Sequence, residues 1–302
     1  MEKETGDSDL IVAKLGTGAL SNDAKNALDL ETIDRLASDF RAINQLNVSD
    51  TSHGVENLRT VFVSSAAVTA GVEVMGVDRP DDENTEAIQL ASMVGNKHLF
   101  RTLENSLGLY VAEGLVTHHE LDIEEVWDII VGATANALKE GIVPVFNEND
   151  AVSVAELFSR IRDEKGVERK RFGDNDQLAS HLARKLGGFV TAYAGVDTTL
   201  VFLTDTDGFR EDKNDPDSVV GLMYSDDMDG YFEAIDDSNS SNGGMWSKLS
   251  AAREAAQAGV RVVISSAKEK NPLLRALTGK AGTVILPSVS EVARVESTSN
   301  HF

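Results

Sequence analysis

Asp9-Leu10-Ile11-Val12-Ala13-Lys14-Leu15-Gly16-Thr17-Gly18 is the stretch on which the fold turns. Its apolar run is short and ends in two glycines, so it predicts a buried strand feeding a tight turn. The same unit recurs downstream. Thr60 to Val63 runs into Ser64-Ser65-Ala66-Ala67 and then an Ala- and Val-rich stretch to Gly71. Gly141 to Phe146 runs into Asn147-Glu148-Asn149-Asp150, and Thr198 to Leu203 ends in Thr204-Asp205. Gly259 to Ile264 and Thr283 to Leu286 supply two more strands. Between them, Leu28, Ile33, Leu36, Phe40 and Ile43 recur at helical steps, Glu86 to Lys139 is largely helical in pattern, and Leu178, Leu182 and Leu186 mark a further helix. Strands alternating with helices, with polar residues just past the strand ends, predict an α/β protein with an open parallel sheet and a ligand site along its carboxyl edge.

The chain has 302 residues, which bounds it to one large domain or two small ones. Its 28 Lys plus Arg face 50 Asp plus Glu, a formal net charge of −22. Such a chain repels phosphate backbones and anionic bilayers, so neither nucleic acid nor a membrane is an expected partner. The nearest basic run, Lys165 to Arg171, is broken by Glu168 and reads as a solvated loop. There is no cysteine, which removes disulfides, thiolate metal sites and cysteine nucleophiles together. The acidic start and the lack of any long apolar run predict a soluble cytoplasmic protein. The excess of aspartate and the few lysines fit a high-salt environment as well as an ordinary acidic composition. The polar stretch from Asp236 to Gly244 predicts a mobile loop, and Ser288 to Phe302 a tail.

Several chemistries are excluded by their motifs. Gly279-Lys280 is followed by Ala281 and lacks the upstream glycine of a Walker A loop, and Gly16-Thr17-Gly18 lacks the third glycine of a dinucleotide fingerprint. The six histidines show no metal-ligand spacing; His118 and His119 are adjacent and would face different ways on a helix, so no metal ligand set is expected. What does gather at the predicted strand ends is two lysines, Lys14 and Lys248, two glycine turns, at Gly16 and Gly18 and at Gly243 and Gly244, and a set of carboxylates and carboxamides. Glycines let backbone N–H groups approach an anion and lysines add point charge, which is what phosphoryl transfer uses. No base for activating a nucleophile is conspicuous, as expected if the acceptor is a carboxylate already ionised at neutral pH. Each feature alone has a bland reading: strand-terminal lysines commonly snorkel to the surface, and Asx-rich segments commonly form turns.

Val12-Ala13-Lys14-Leu15-Gly16-Thr17, Val63-Ser64-Ser65-Ala66, Pro144 to Val152, Gly173-Asp174-Asn175-Asp176, Leu203-Thr204-Asp205 and Gly243-Gly244-Met245-Trp246-Ser247-Lys248 occur in the order and rough spacing of one family. From about Leu10 to Leu286 the chain resembles the glutamate 5-kinases, which have the amino acid kinase fold. The resemblance implies a three-layer αβα sandwich with a mainly parallel central sheet, a kinase domain over residues 1–287 and a tail over 288–302. It implies transfer of phosphate from ATP, with Mg2+, to the γ-carboxylate of L-glutamate, the first step of proline biosynthesis. Lys14 and Lys248 would flank the moving phosphoryl group, backbone amides around Gly16 and Gly244 would complete the cradle, and Asp176 would organise the lysines. Ser65, Asp150 and Asn175 would bind glutamate with support from Asn147. Lys14, Gly16, Thr204, Asp205, Asn242, Gly243, Gly244, Met245 and Lys248 would bind nucleotide. Also implied are feedback inhibition by proline, a functional partnership with glutamate-5-semialdehyde dehydrogenase, and a homodimer or homotetramer.

The departures from the family pattern are Ala66 where a glycine is usual, Asn242 and Ser247 where threonines are usual, and Trp246 in place of a small serine. Ala66 would crowd the site if its backbone needed positive φ. Trp246 would either stack near the nucleotide or pack beneath the loop, and packing is the favoured reading. Many family members also carry a C-terminal PUA domain, which is not expected within this sequence. Two alternatives remain open at this stage, a kinase of the same fold acting on another acid and a non-catalytic homologue that binds nucleotide or glutamate.

Overall fold

The structure, a computed structural model, describes residues 10–48, 59–81, 84–117, 120, 123–152, 160–162, 168–170, 174–194, 198–236 and 244–288. The strands in chain order are β1 (Leu10–Leu15), β2 (Ser21–Asn22), β3 (Ala27–Leu28), β4 (Arg59–Ser64), β5 (Val111–Val116), β6 (Val143–Glu148), β7 (Arg160–Arg162), β8 (Glu168–Lys170), β9 (Thr198–Thr204), β10 (Leu222–Tyr224), β11 (Arg261–Ser266) and β12 (Thr283–Leu286). The α-helices are α1 (Thr17–Leu20), α2 (Leu30–Val48), α3 (Ala67–Met75), α4 (Thr85–Leu107), α5 (Glu124–Lys139), α6 (Asp174–Ala194), α7 (Asp229–Asp236), α8 (Gly244–Gln257) and α9 (Pro272–Leu277).

Eight strands form one sheet in the order β10-β12-β11-β9-β1-β4-β6-β5. From β11 to β5 every pairing is parallel; β12 runs antiparallel to β11 and carries β10 with it. β1 lies centrally because every one of its residues is apolar except Lys14, and all six are buried, as a strand covered on both faces must be. Side chains alternate across it. Leu10 and Val12 face a core that includes Leu178, Leu182 and Leu186 of α6 and Leu249 and Ala252 of α8. Ile11, Ala13 and Leu15 face the opposite core, which includes Leu36 and Phe40 of α2, Leu99 of α4 and Leu273 of α9. The result is the expected three-layer αβα sandwich. Between β1 and β9 the chain reverses its direction of travel across the sheet, which opens a crevice at their carboxyl ends.

Two helices of the second layer, α3 and α4, meet unusually closely. A Cβ on Gly71 of α3 would lie 1.8 Å from the Ala91 carbonyl oxygen, and one on Gly95 of α4 would lie 1.8 Å from that of Ala67. Only glycine allows backbone-to-backbone contact at this crossing. At the far end of that layer, Asp39 of α2 accepts the N–H groups of Leu273 (2.6 Å) and Leu274 (3.1 Å), supplying acceptors that the start of α9 lacks. Burial raises the Asp39 pKa and these two hydrogen bonds oppose the rise.

Several sequence expectations are corrected. Glu86 to Lys139 is not one helical block: β5 interrupts it and pairs in parallel with β6 over Val111–Val143 to Val116–Glu148. Its apolar run is broken by Glu113 and Gly114, which a sheet edge with only one neighbour tolerates. Leu28 belongs to the small β2–β3 hairpin that precedes α2, where it is buried, and not to the helix itself. The sequence reading also missed β10, whose three residues are too few to show a period and of which only Met223 is buried. In the segment read as a solvated loop, Lys165 to Arg171, residues Glu168–Lys170 form a strand that pairs antiparallel with Arg160–Arg162; residues 163–167 and 171–173 lie outside the described residues. The predicted tail begins with an anchored residue, since buried Ser288 donates its N–H to the Ser225 hydroxyl at 3.1 Å; residues 289–302 lie outside the description.

Candidate active site

Lys14 shares the face of β1 with Leu10 and Val12, so its side chain emerges on the side covered by α6 and α8. Asp176 enters from the first turn of α6 and Lys248 from the second turn of α8. Lys14 Nζ stands 2.6 Å from Asp176 Oδ1, and these two side chains are only 7% and 3% exposed. Lys248 Nζ stands 3.5 Å from Asp176 Oδ2 and donates to the Gly244 carbonyl at 3.1 Å. Two cations thus share one carboxylate, leaving one positive charge in excess at a nearly buried point of a chain whose net charge is −22. Burial pushes the Lys14 ammonium below its ordinary 10.5, the neighbouring Asp176 carboxylate acts against that, and Lys248 adds to the lowering. Such a cluster suits an anionic ligand.

The turn after β1 is held against β9. Gly16 donates its N–H to the Leu203 carbonyl at 3.0 Å, and a Cβ on it would lie 3.3 Å from that oxygen and 3.9 Å from Lys14 Nζ. Gly16 therefore contributes close approach, and its own amide is already committed. A Cβ on Gly18 would lie 3.3 Å from the Asp205 carboxylate. Buried Thr204 organises the end of β9: its hydroxyl donates to Asp205 Oδ1 at 3.1 Å and accepts the Thr206 N–H at 2.9 Å, while Asp205 itself is exposed. Thr17 Oγ1 donates to the Ser65 carbonyl at 2.7 Å, tying the first turn to the second. The Ser65 hydroxyl is buried and, among the described residues, has no hydrogen-bond partner.

The end of β6 is fixed from two sides. Asn175, beside Asp176 on α6, accepts the Glu148 N–H through Oδ1 at 2.9 Å. Buried Asn147 donates to Asn96 Oδ1 of α4 at 2.9 Å, and Ser92 of α4 donates to Asp150 Oδ2, also at 2.9 Å. Ser92 and Asn96 were not anticipated from the sequence. They are buried polar residues one turn apart on the apolar face of α4, flanked by Ala91, Gly95 and Leu99, and that misplacement in an apolar stripe was the available signal.

Of the sequence-predicted residues, the structure brings Lys14, Asp176, Lys248 and Gly244 into contact and sets Gly16, Thr204 and Asp205 along the same sheet edge. Asn147, Asp150 and Asn175 are joined around the end of β6. Met245 is half-buried and packs on the core beneath α8. Asn242, Gly243, His118 and His119 lie outside the described residues. Ala66 has φ −101° and ψ 16°, so no positive φ is needed there and its Cβ strains nothing. Trp246 packs edge-on against Phe232 at 5.9 Å between ring centroids, the favoured reading, yet 40% of its surface stays open. Among the described residues no group of three His, Asp or Glu side chains could hold a metal ion, and no helix is long and apolar enough to cross a membrane.

A mainly parallel α/β sandwich with buried Lys14 and partly buried Lys248 beside the switch point of its sheet is an α/β protein with a cationic crevice at the carboxyl edge of its strands. Residues 9–266 match the amino acid kinase family, and the chain belongs to that family. A glutamate 5-kinase of Rhodopirellula baltica is 33% identical over 92% of this chain and 65% of its own length. One from Burkholderia thailandensis is 29% identical over 97% of this chain and 72% of its own. This chain therefore spans about two thirds of such relatives. Among solved structures, a carbamate kinase from Giardia lamblia bound to citric acid superposes with TM-score 0.56 at 15% identity, covering 93% of this chain and 99% of its own. An isopentenyl phosphate kinase gives 0.51 at 19% identity, covering 91% and 99%. These likenesses establish the amino acid kinase fold.

Proposed function

We propose that this protein transfers the γ-phosphoryl group of MgATP to the γ-carboxylate of L-glutamate, giving γ-glutamyl phosphate and ADP, the opening reaction of proline biosynthesis. The observation that carries the reading is the Lys14–Asp176–Lys248 cluster, a preorganised excess of positive charge between the two β-strand ends where donor and acceptor would meet. The names of the relatives, glutamate 5-kinases both, support the acceptor.

In the reaction a carboxylate oxygen of glutamate forms a bond to the γ-phosphorus, the bond to the β,γ-bridging oxygen breaks, and ADP leaves with that electron pair. No proton has to move, because the acceptor is ionised at neutral pH. This accounts for a site whose reacting-end groups are two cations and their organiser. Lys14 and Lys248 would offset charge on the equatorial oxygens and Asp176 would hold both in register. Magnesium would enter with the nucleotide substrate and would supply neutralisation of phosphate charge. Ser65, whose buried hydroxyl has no partner among the described residues, and Asn175, Asn147 and Asp150 would hold glutamate, Asp150 by its charge opposite the α-ammonium group. Thr204, Asp205, Gly244, Met245 and the loop containing Asn242 and Gly243 would border the nucleotide.

The kinase domain would occupy residues 1–287. The protein would act in the cytoplasm as a homodimer or homotetramer, be inhibited by proline at a region overlapping the glutamate site, and hand its acyl phosphate to glutamate-5-semialdehyde dehydrogenase.

The test is formation of γ-glutamyl hydroxamate from ATP, magnesium, glutamate and hydroxylamine, at low and high salt, with aspartate and acetylglutamate as controls. Product with glutamate alone is the expected result. No product at either salt from folded protein would overturn the reading, and product with a control acid would move it to another acceptor.

A further inference from the structure

We propose that Ser92 and Asn96 of α4 are positioning residues that orient Asp150 and Asn147 to receive the α-ammonium group of the acceptor. The inference rests on the glutamate reading above and deepens it.

The four side chains form one directed relay. An ionised aspartate can only accept, so Ser92 must donate its hydroxyl proton to Asp150 Oδ2, at 2.9 Å. The Ser92 oxygen then accepts from Asn96 Nδ2 at 3.4 Å, which fixes the Asn96 amide with Oδ1 on its other side. Asn96 Oδ1 accepts from Asn147 Nδ2 at 2.9 Å. Every amide orientation thus follows from the charge on Asp150, and the last one leaves Asn147 Oδ1 as an acceptor. That oxygen is buried and has no partner among the described residues. A buried acceptor without a donor is costly unless a ligand supplies one, and an ammonium group carries three donors.

Ser92 and Asn96 can serve because of where α4 lies. Gly95, between them, allows the backbone contact with Ala67 that brings α4 against the turn after β4. Ser92 is fully buried and Asn96 is 5% exposed, so both are largely shielded from solvent and their polarity is spent on the relay. Without Ser92, Asp150 would lose the charge-assisted hydrogen bond that fixes its Oδ2. Without Asn96, nothing would dictate which way the Asn147 amide faces.

The experiment compares wild type, Ser92→Ala and Asn96→Ala for the KM of glutamate, the KM of ATP, kcat, and the inhibition constant of glutarate, which has both carboxylates and no amino group. The expected result is a rise of about ten-fold in the glutamate KM, the scale of one lost charge-assisted hydrogen bond. The ATP KM and the glutarate constant should hold, and kcat should change less than KM. Preference for glutamate over glutarate then collapses. A parallel rise for glutamate and glutarate would overturn the proposal, since it would mean general distortion of the pocket. An unchanged glutamate KM in Ser92→Ala, which removes a single oxygen and keeps the fold, would overturn it too. A wild type inactive with glutamate fails the activity reading and this inference together, whereas an active wild type with unresponsive variants fails only the inference.

Discussion

At the end proposed to hold phosphate, Lys14, Asp176 and Lys248 arrive from a strand and two helices and are held by charge across distances of 2.6 and 3.5 Å. At the end proposed to hold the acceptor, Asn147, Asn96, Ser92 and Asp150 are joined by hydrogen bonds, three neutral side chains to one carboxylate. On the proposed function, the difference follows from the ligands. A triphosphate is a dense anion that any sufficiently strong, well-placed positive field can hold, so placement of cations is the main requirement. An amino acid offers one ammonium and two carboxylates on a short chain, and distinguishing it from similar acids requires acceptors aimed at one atom. Hydrogen-bond direction supplies that aim more sharply than charge does.

The largest break in this comparison is expected from the lysines. Lys14→Met and Lys248→Ala should each lower kcat by roughly a hundred- to a thousand-fold, the scale seen when one preorganised donor at developing charge is removed. The ATP KM of Lys248→Ala should move far less, because its charge is wanted most in the transition state. Steady-state kinetics decide it: equal losses in kcat and ATP affinity would make Lys248 a ground-state binder, and unchanged activity in Lys14→Met would remove its assigned role. Asp150→Asn should act on the other side of the ledger, raising the glutamate KM by about ten- to a hundred-fold while sparing the ATP KM, as loss of one charged hydrogen-bond partner implies.

Gly95→Ala sharpens the contrast through packing. Its new Cβ would overlap the Ala67 carbonyl, so α4 must move away from α3, at a cost of about 1–3 kcal/mol in stability. Because Ser92 and Asn96 ride on α4, the glutamate KM should rise with that loss and the ATP KM should not. Thermal melting with the two KM values checks this, and a melting shift with both KM values intact would separate the crossing from the site. The smallest effect concerns pH. In the free protein burial lowers the Lys14 pKa below 10.5, so the ammonium is lost earlier on the alkaline side than for an exposed lysine. Bound phosphates favour its charged form. The alkaline fall of kcat/KM for ATP should therefore come at lower pH than the fall of kcat, and coincident limbs would deny Lys14 the role of phosphate-binding cation.

The two ends also differ in how far they could be read in advance. Lys14 and Lys248 stand beside glycine turns at predicted strand and helix ends, and the alternating apolar runs predict the open parallel sheet, whereas Asp176 and the three αβα layers came from the family resemblance. Ser92 and Asn96 sit inside a helix whose period is otherwise apolar, and nothing local says that their face meets the end of β6. Only the α3–α4 crossing at Gly71 and Gly95 determines that. β5 was lost for a related reason, since an edge strand with one neighbour needs less apolar sequence than a central one. Gly16 shows the reverse error. Its place after β1 was read correctly as a turn, but its N–H serves the Leu203 carbonyl, a long-range partner that no turn pattern reveals.

The central claim is that a carboxylate oxygen of glutamate attacks the γ-phosphorus between Lys14 and Lys248. Glutamate labelled with heavy oxygen in its γ-carboxylate, incubated with MgATP and hydroxylamine, tests it most directly. Hydroxylamine cleaves the acyl phosphate at the carbonyl carbon, so the inorganic phosphate released should carry one labelled oxygen for each hydroxamate formed. Phosphate free of label would mean that water, and not the carboxylate, receives the phosphoryl group, and would contradict the account.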